Sequence, residues 1–367
     1  MTSRVIDADG HICETRELWQ EYVPKAFRDR TIRMESTADG RDQLWVNGAP
    51  TFSNAARACV PAGMADPEHP PCWDDIHKAS YDGAARLEVM DEEGIEHCLM
   101  FPSLYLRHGD IIDPAVAAAT CSAYNEWIAD MCKAGRGRLD AVGLVPLQDV
   151  KLATAEIAHI ARLGLKGVAF RPERYNGMAL FDEQLAPFWS AICDADLFAG
   201  VHGSFGVQMP SFANSRYDNN FFIHMVCHPF EQMAASMDLI CGGVLQRHPK
   251  LRVAFLESGL GWLPYWLGRM DEHYEVMGHD VPWLQRKPSE IFAEQCFISV
   301  EADEAARLPE LAALGVDGCV FWGSDYPHFD CTYPGAVAEL ESHLEPLDAA
   351  LAEKIRRKNA MRFMGLS

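Results

Sequence analysis

The chain has 367 residues, with 32 Lys and Arg against 53 Asp and Glu and a formal net charge of −21. Hydrophobic residues make up 49%, enough for a full core and too many for a disordered chain. The acidic balance argues against nucleic acid or an anionic membrane as partner, since both bind basic surfaces. No apolar run reaches the about 18 residues of a membrane span, and the first residues form no apolar signal segment, so a cytoplasmic protein is expected. The twelve cysteines are scattered without a C-x-x-C pair and read as small core residues.

Strand-type apolar runs recur at 4–12, 97–103, 141–147, 167–172, 197–203, 251–259, 297–301 and 318–325. They are near-continuous rather than alternating, as in parallel strands covered on both faces. Helical patterns lie between them at 82–94, 115–134, 153–163 and 183–195, with Gly94 and Gly164 as stops. Strands alternating with helices over this length predict a (β/α)8 barrel of the TIM type. A doubly wound sheet is the alternative. Residues 30–80 break the rhythm and read as a hairpin with Asp39-Gly40 and Asn47-Gly48 turns, followed by a stretch containing Pro67, Pro70 and Pro71. This predicts a single domain over 1–367, with the 30–80 insertion after the first strand lying over the C-terminal face. Residues 204–230 form a second long connection.

Functional side chains of such barrels gather at the C-terminal strand ends. Those ends carry Asp9, His11 and Glu14, then Arg171, His202, Glu257, and Asp325 with His328. Asp9 and His11, two residues apart on a strand, share one face. With His202 and Asp325 they would converge on the barrel axis. Two imidazoles and two carboxylates suit zinc, manganese or iron, and buried charges need a partner or a metal. His224 and His228 are spaced i, i+4 and would share a helix face. His228 reads either as an acid/base group or second-metal ligand, or as packing against the rim. Glu14 reads as a ligand, a partner orienting His11, or a helix-start residue. Arg171 reads as a carboxylate-binding fork or a structural ion pair, and His328 as a group supporting the ligands.

The motif Asp7-Ala-Asp-Gly-His-Ile-Cys-Glu14 resembles the opening of the amidohydrolase-related family. So do Tyr124-Asn-Glu-Trp127, Val145-Pro-Leu-Gln-Asp149, Gly167-Val-Ala-Phe-Arg-Pro172, His228-Pro229, Glu257-x-Gly-x-Gly-Trp262 and Gly323-Ser-Asp-Tyr-Pro-His328. That family includes aminocarboxymuconate semialdehyde decarboxylase and resorcylate-type decarboxylases. The resemblance spans nearly the whole chain and implies a metal-holding barrel. Its first-strand His-x-His falls on Asp9-x-His11, its strand-five histidine on His202 and its strand-eight aspartate on Asp325. Glu257 stands where decarboxylase relatives commonly carry histidine, which makes the site more anionic and favours manganese or iron.

The resemblance implies hydrolysis or decarboxylation of a small organic acid or amide through a metal-bound water. Asp325 would hold the metal and accept the water's proton, and Glu257 or His228 would deliver a proton to the leaving group. One alternative is a two-metal iron or manganese monooxygenase, for which Glu257, His228 and Glu14 are surplus ligands. A further alternative is a partner subunit with a structural metal site. A homo-oligomer, or pairing with a homologous chain, is expected from the resemblance and from apolar elements such as Trp283-Leu284.

Overall fold

The computed structural model describes residues 4–366 except 39, 54, 67, 70, 205 and 206. The predicted Asp39-Gly40 turn and the prolines Pro67 and Pro70 therefore fall wholly or partly outside the described residues. Eight parallel strands follow one another in hydrogen-bonded order: β1 (Val5–Ile12), β5 (Ile95–Pro102), β6 (Leu139–Leu144), β7 (Gly167–Phe170), β8 (Phe198–His202), β9 (Val253–Leu256), β10 (Cys296–Val300) and β11 (Val320–Trp322). The numbering gap holds β2 (Arg33–Ser36), β3 (Asp42–Val46) and β4 (Ala49–Ser53), a small antiparallel sheet inserted after β1. The predicted hairpin is thus three-stranded. Asn47 and Gly48, at φ 55° and 76°, make the turn that adds β4.

Every residue of β1, β7, β8, β9, β10 and β11 is buried, which is why these runs lack polar alternation. Among the flanking helices are α1 (Gly83–Glu93), α2 (Pro114–Ala134), α3 (Val150–Leu163), α4 (Ala186–Asp194), α5 (Asn220–Cys227) and α6 (Pro229–Ile240). The Asp82 carboxylate accepts from Ala84 N and Ala85 N to start α1, and Asp149 accepts from Lys151 N and Leu152 N to start α3. Such caps each stabilise by about 1 kcal/mol. Gly94 and Gly164 end the two helices in the left-handed conformation.

The barrel is closed without a regular ladder between β11 and β1. Instead, Asp325 N donates to Asp9 O at 3.0 Å and His11 N donates to Tyr326 O at 2.8 Å. A side chain on Gly323 would place its Cβ 2.4 Å from Asp9 Cβ, so only glycine lets this seam meet. Asp7 reinforces it: its carboxylate accepts from Ser324 N at 2.9 Å and Ser324 Oγ at 2.6 Å. All twelve cysteines are free and none is exposed. Among the described residues no helix is long and apolar enough to cross a membrane.

Candidate metal centre at the barrel mouth

The mouth is built from strand ends. β1 delivers Asp9 and His11, β8 ends on His202, and the residue after β9 is Glu257. His202 lies in register with Leu256, which sets Glu257 just above it. Glu257 and Asp325 both have left-handed backbones, with φ 49° and 55°. Residues other than glycine rarely adopt this conformation, and it costs about 1–2 kcal/mol. At both positions it turns a carboxylate out of the strand path and toward the axis.

The hydrogen bonds fix how the imidazoles present themselves. His11 Nδ1 donates to Pro102 O at 2.9 Å, and His202 Nδ1 donates to Gly203 O at 2.7 Å. A carbonyl can only accept, so each ring keeps its proton on Nδ1 and turns a bare lone pair outward from Nε2. Those two Nε2 atoms face each other at 3.1 Å. Two acceptors at that distance do not bond one another. The neighbouring oxygens make the same demand. Asp9 Oδ1 lies 3.9 Å from His11 Nε2 and 3.8 Å from His202 Nε2, and Asp325 Oδ1 lies 3.3 Å from His11 Nε2. Both oxygens are buried without an aligned donor. For Asp325 Oδ1 this holds despite His328 Nδ1 at 2.7 Å, a contact short in distance but lacking hydrogen-bond alignment. Asp9, His11 and His202 form one group with atoms close enough to hold a single ion, and His11, Glu257, Asp325 and His328 form another.

The electrostatics agree. Burial, the first cause, pushes Asp9 up to about 7 and raises Glu257 and Asp325 well above the usual carboxylate range. Burial likewise lowers His202 to about 3 and holds His11 well below its ordinary value. Desolvated carboxylates resist ionising while neutral imidazoles resist protonating. A divalent cation among them would supply the missing charge for both, and the donor set of two nitrogens and several carboxylate oxygens fits one.

The other residues singled out in the sequence separate. Glu14 points away from the centre, and its carboxylate accepts from Ser103 N, Leu104 N and Tyr105 N at 3.0, 2.8 and 3.3 Å. It fastens the 3-10 segment Leu104–Asp110. Ser103 in turn bonds His328 Nε2 at 3.0 Å, so His328 stands between Asp325 and the loop after β5. Arg171 is fully buried, and its fork binds both oxygens of Glu173, the structural pairing rather than an open site. His224 and His228 do not share one helix: α5 stops at Cys227, and His228 caps α6 before Pro229. His228 is buried with neither ring nitrogen hydrogen-bonded, and its Nε2 lies 3.7 Å from Glu257 Oε1. Gly203 makes room for it, since a Cβ there would lie 2.6 Å from His228 Nδ1. His224 Nε2 stands 3.7 Å from Asp330 Oδ2. Of the Trp283-Leu284 pair, Trp283 is exposed but Leu284 is buried.

A cavity of about 610 Å³ opens over the centre, lined by His228, Glu257 and His328, by Leu44 and Ala58 of the insertion, and by Leu104, Phe221, Met225 and Phe329. A larger hollow of about 810 Å³ lies beyond Asp110 and Glu173 and holds none of the ligand candidates. Of these two cavities the smaller is the one lined by candidate site residues. Sequence reading missed Asp7, Ser103, Arg107 and Ser299. Asp7 alone carried a usable signal, because it continues the alternation of Asp9 and His11.

A barrel whose strand ends gather imidazoles and carboxylates around one point defines a metal-site class of TIM-like proteins. Residues 6–366 match the amidohydrolase family, and the chain belongs to it. A curated relative, 2-amino-3-carboxymuconate-6-semialdehyde decarboxylase of Dictyostelium discoideum, is 23% identical over 295 residues, covering 80% of this chain and 79% of the relative. Among solved structures, an amidohydrolase of Mycobacterium avium subsp. paratuberculosis superposes with a TM-score of 0.84 at 22% identity, over 100% of this chain and 99% of that one. A 5-carboxyvanillate decarboxylase of Novosphingobium aromaticivorans, solved with bound manganese and a nitrobenzoic acid, superposes with a TM-score of 0.71 at 18% identity, over 100% and 98%. At these identities the structural likeness speaks for the fold.

Proposed function

We propose that this chain is a metal-dependent carboxy-lyase acting on a small organic, aromatic-sized carboxylic acid. The observation that carries the reading is the pair of bare Nε2 atoms 3.1 Å apart, flanked by donorless oxygens of Asp9 and Asp325. Asp9, His11, His202 and Asp325 would hold the ion, with manganese the metal a solved relative contains. When bound it would act as a Lewis acid, polarising substrate oxygen. Glu257, whose carboxyl burial pushes well above the usual carboxylate range, would deliver the proton to the carbon that loses carboxylate. His228, 3.7 Å from it, would orient that carboxyl and reload it. Hydrolysis of an amide is the neighbouring chemistry, with Asp325 taking the proton of the attacking water. The reading includes one domain over 1–367, supported by the family match across 6–366. It also makes the 30–80 insertion a cover of the site, supported by Leu44 and Ala58 in the cavity wall.

The test is metal analysis of the purified protein, then CO2 release from a panel of hydroxybenzoates by the manganese-loaded chain. Release from at least one acid, lost with chelator and restored by manganese, is the expected result. Full metal content with no release from any carboxylic acid would refute the lyase reading.

One observation favours a second reading, a two-metal oxygenase. Glu257 splits its oxygens, Oε2 at 3.4 Å from His202 Nε2 and Oε1 at 3.7 Å from the unpartnered His228 Nε2, as a bridging carboxylate would. Glu257→Gln separates the two. With one metal the variant keeps its metal and loses turnover. With two, metal content drops toward one per chain.

A further inference from the structure

The larger hollow, of about 810 Å³, shares no lining residue with the cavity over the centre. Its size falls within the about 300–1,000 Å³ of small-molecule sites. α6 contributes Glu231, Ala234, Met237 and Asp238 to one side, and the connection after β8 contributes the stretch from Gln208 to Phe212. Ile112, Phe212 and Met237 of this lining are all exposed. Apolar surface held out to water along a groove is what a bound ligand covers.

Four carboxylates line the hollow, and three of them are engaged. Glu173 is clamped through both oxygens by Arg171. Asp110 accepts from Arg107 Nε on one oxygen and from Gln208 N and Met209 N on the other. Asp238 accepts from Leu180 N at 3.3 Å, and Arg174, on the same wall, offsets its charge. Glu231 differs. It is 5% exposed, and its Oε1 accepts from Phe212 N. Its Oε2 accepts from no described residue and is not sealed off. The open oxygen of a nearly buried carboxyl therefore looks into the hollow that its residue lines. Burial pushes this carboxyl up to about 7, the mark of an acid short of a cation. Yet it stands in the first turn of α6, where the helix dipole favours a negative charge.

The geometry selects the kind of cation. A metal ion asks for several oxygen ligands, and Asp238, the other carboxylate on this helix, stands about 10 Å further along it. A guanidinium asks for both oxygens of a carboxylate, and Phe212 N already holds one of them. An ammonium asks for a single oxygen. We infer that the hollow is a second ligand site, one that takes an organic amine: the ammonium donates to Glu231 Oε2, and the apolar body lies along Met209, Phe212 and Met237. Binding there requires neither a metal nor turnover at the centre. The other charged and titratable groups facing the ammonium are those of the wall, Asp110, Glu173, Arg174, Tyr175 and Asp238, with Arg171 behind Glu173.

The experiment is calorimetric titration of the full-length chain with 3-phenylpropylamine and its neutral isostere 3-phenylpropanol at pH 8. The amine is expected to bind at least about 10-fold tighter than the alcohol, a charge-assisted hydrogen bond in place of a neutral one. Its affinity should fall about 10-fold from pH 8 to pH 6 as Glu231 takes up a proton, because the amine itself stays charged across that range. Glu231→Gln keeps an acceptor for Phe212 N and removes only the charge, so it should level amine and alcohol and abolish the pH dependence. Equal binding of amine and alcohol by the wild type overturns the inference, whether or not the variant folds. So does an amine preference that survives in Glu231→Gln, which would place the ammonium against other carboxylates, such as Glu257 and Asp330 of the smaller cavity.

Discussion

Gly323→Ala puts a methyl group into the seam that closes the barrel. Its Cβ would lie 2.4 Å from Asp9 Cβ and 3.0 Å from Asp9 O. Carbon atoms in contact settle at about 3.5–4.0 Å, so the seam must open by about 1 Å. Neither side can give cheaply, since Asp9 sits within β1 and its Cβ moves only with the backbone. Gly323 is not among the residues with positive φ, so the substitution adds no backbone strain and isolates the steric term. Overpacking of this kind costs about 1–3 kcal/mol. Lengthening the two closing bonds, Asp325 N to Asp9 O and His11 N to Tyr326 O, adds about 0.5–1.5 kcal/mol each. The lower chain entropy of alanine when unfolded returns about 0.4–1 kcal/mol. A net loss of about 1–5.5 kcal/mol is expected from these terms, read from urea midpoints at fixed manganese. Because the seam separates Asp9 from Asp325, the variant should also bind manganese more weakly. A midpoint and a manganese affinity both equal to wild type would show that the seam does not couple closure to the site.

Three further outcomes follow from the geometry. His202→Ala removes one of the two facing nitrogens, and the purified variant should lose most of its metal while staying folded by circular dichroism; full occupancy would remove His202 from the ligand set. Glu14→Ala strands the N–H groups of residues 103, 104 and 105, which should cost about 2–5 kcal/mol with metal stoichiometry unchanged; a loss of metal without loss of stability would make Glu14 a ligand after all. Burial pushes Glu231 up to about 7, above its unfolded value, so its contribution to stability is whole below about pH 4.5 and is lost as pH rises through 7. The stability of Glu231→Gln relative to wild type should therefore climb between pH 5 and pH 8, and a flat difference would refute the shift.

The barrel was legible in the sequence because buried parallel strands leave long apolar runs, and their limits were missed where apolarity outlasts pairing. The run at 141–147 continues through Val145-Pro-Leu, but the ladder stops at Leu144. Pro146 has no N–H to extend it, and Leu147 N turns back to Val145 O at 3.1 Å. The insertion's third strand was not read from the sequence because Pro50 in Ala49-Pro-Thr-Phe-Ser argues against a strand. Pro50 is tolerated there since β4 is an edge. The gathering of Asp9, His11, His202 and Asp325 at one point was legible because charge at the end of an apolar strand is costly unless something uses it. The roles of Glu14 and Arg107 were not legible. They are defined by backbone N–H groups and a carboxylate that only the folded chain brings near, and a Glu or Arg at a loop start looks the same with or without them.

What the site costs the fold also says what it is for. Glu257 and Asp325 are held left-handed, at about 1–2 kcal/mol each. Two imidazoles present lone pairs to one another, and several buried carboxyls have no cation among the described side chains in direct contact. A core built for stability alone would place apolar residues at these strand ends, and such exchanges are often neutral or favourable. Here the strain is concentrated at one point, and the surrounding structure is arranged to keep it. Asp7 pins Ser324 beside Asp325, Ser299 Oγ accepts from Glu257 N at 3.0 Å, and Glu14 and Ser103 hold the loop that orients His328. These supports fix positions rather than neutralise charge. An ion bound at the centre would relieve the lone-pair opposition and the carboxyl desolvation together, so binding it should add to fold stability by mass action.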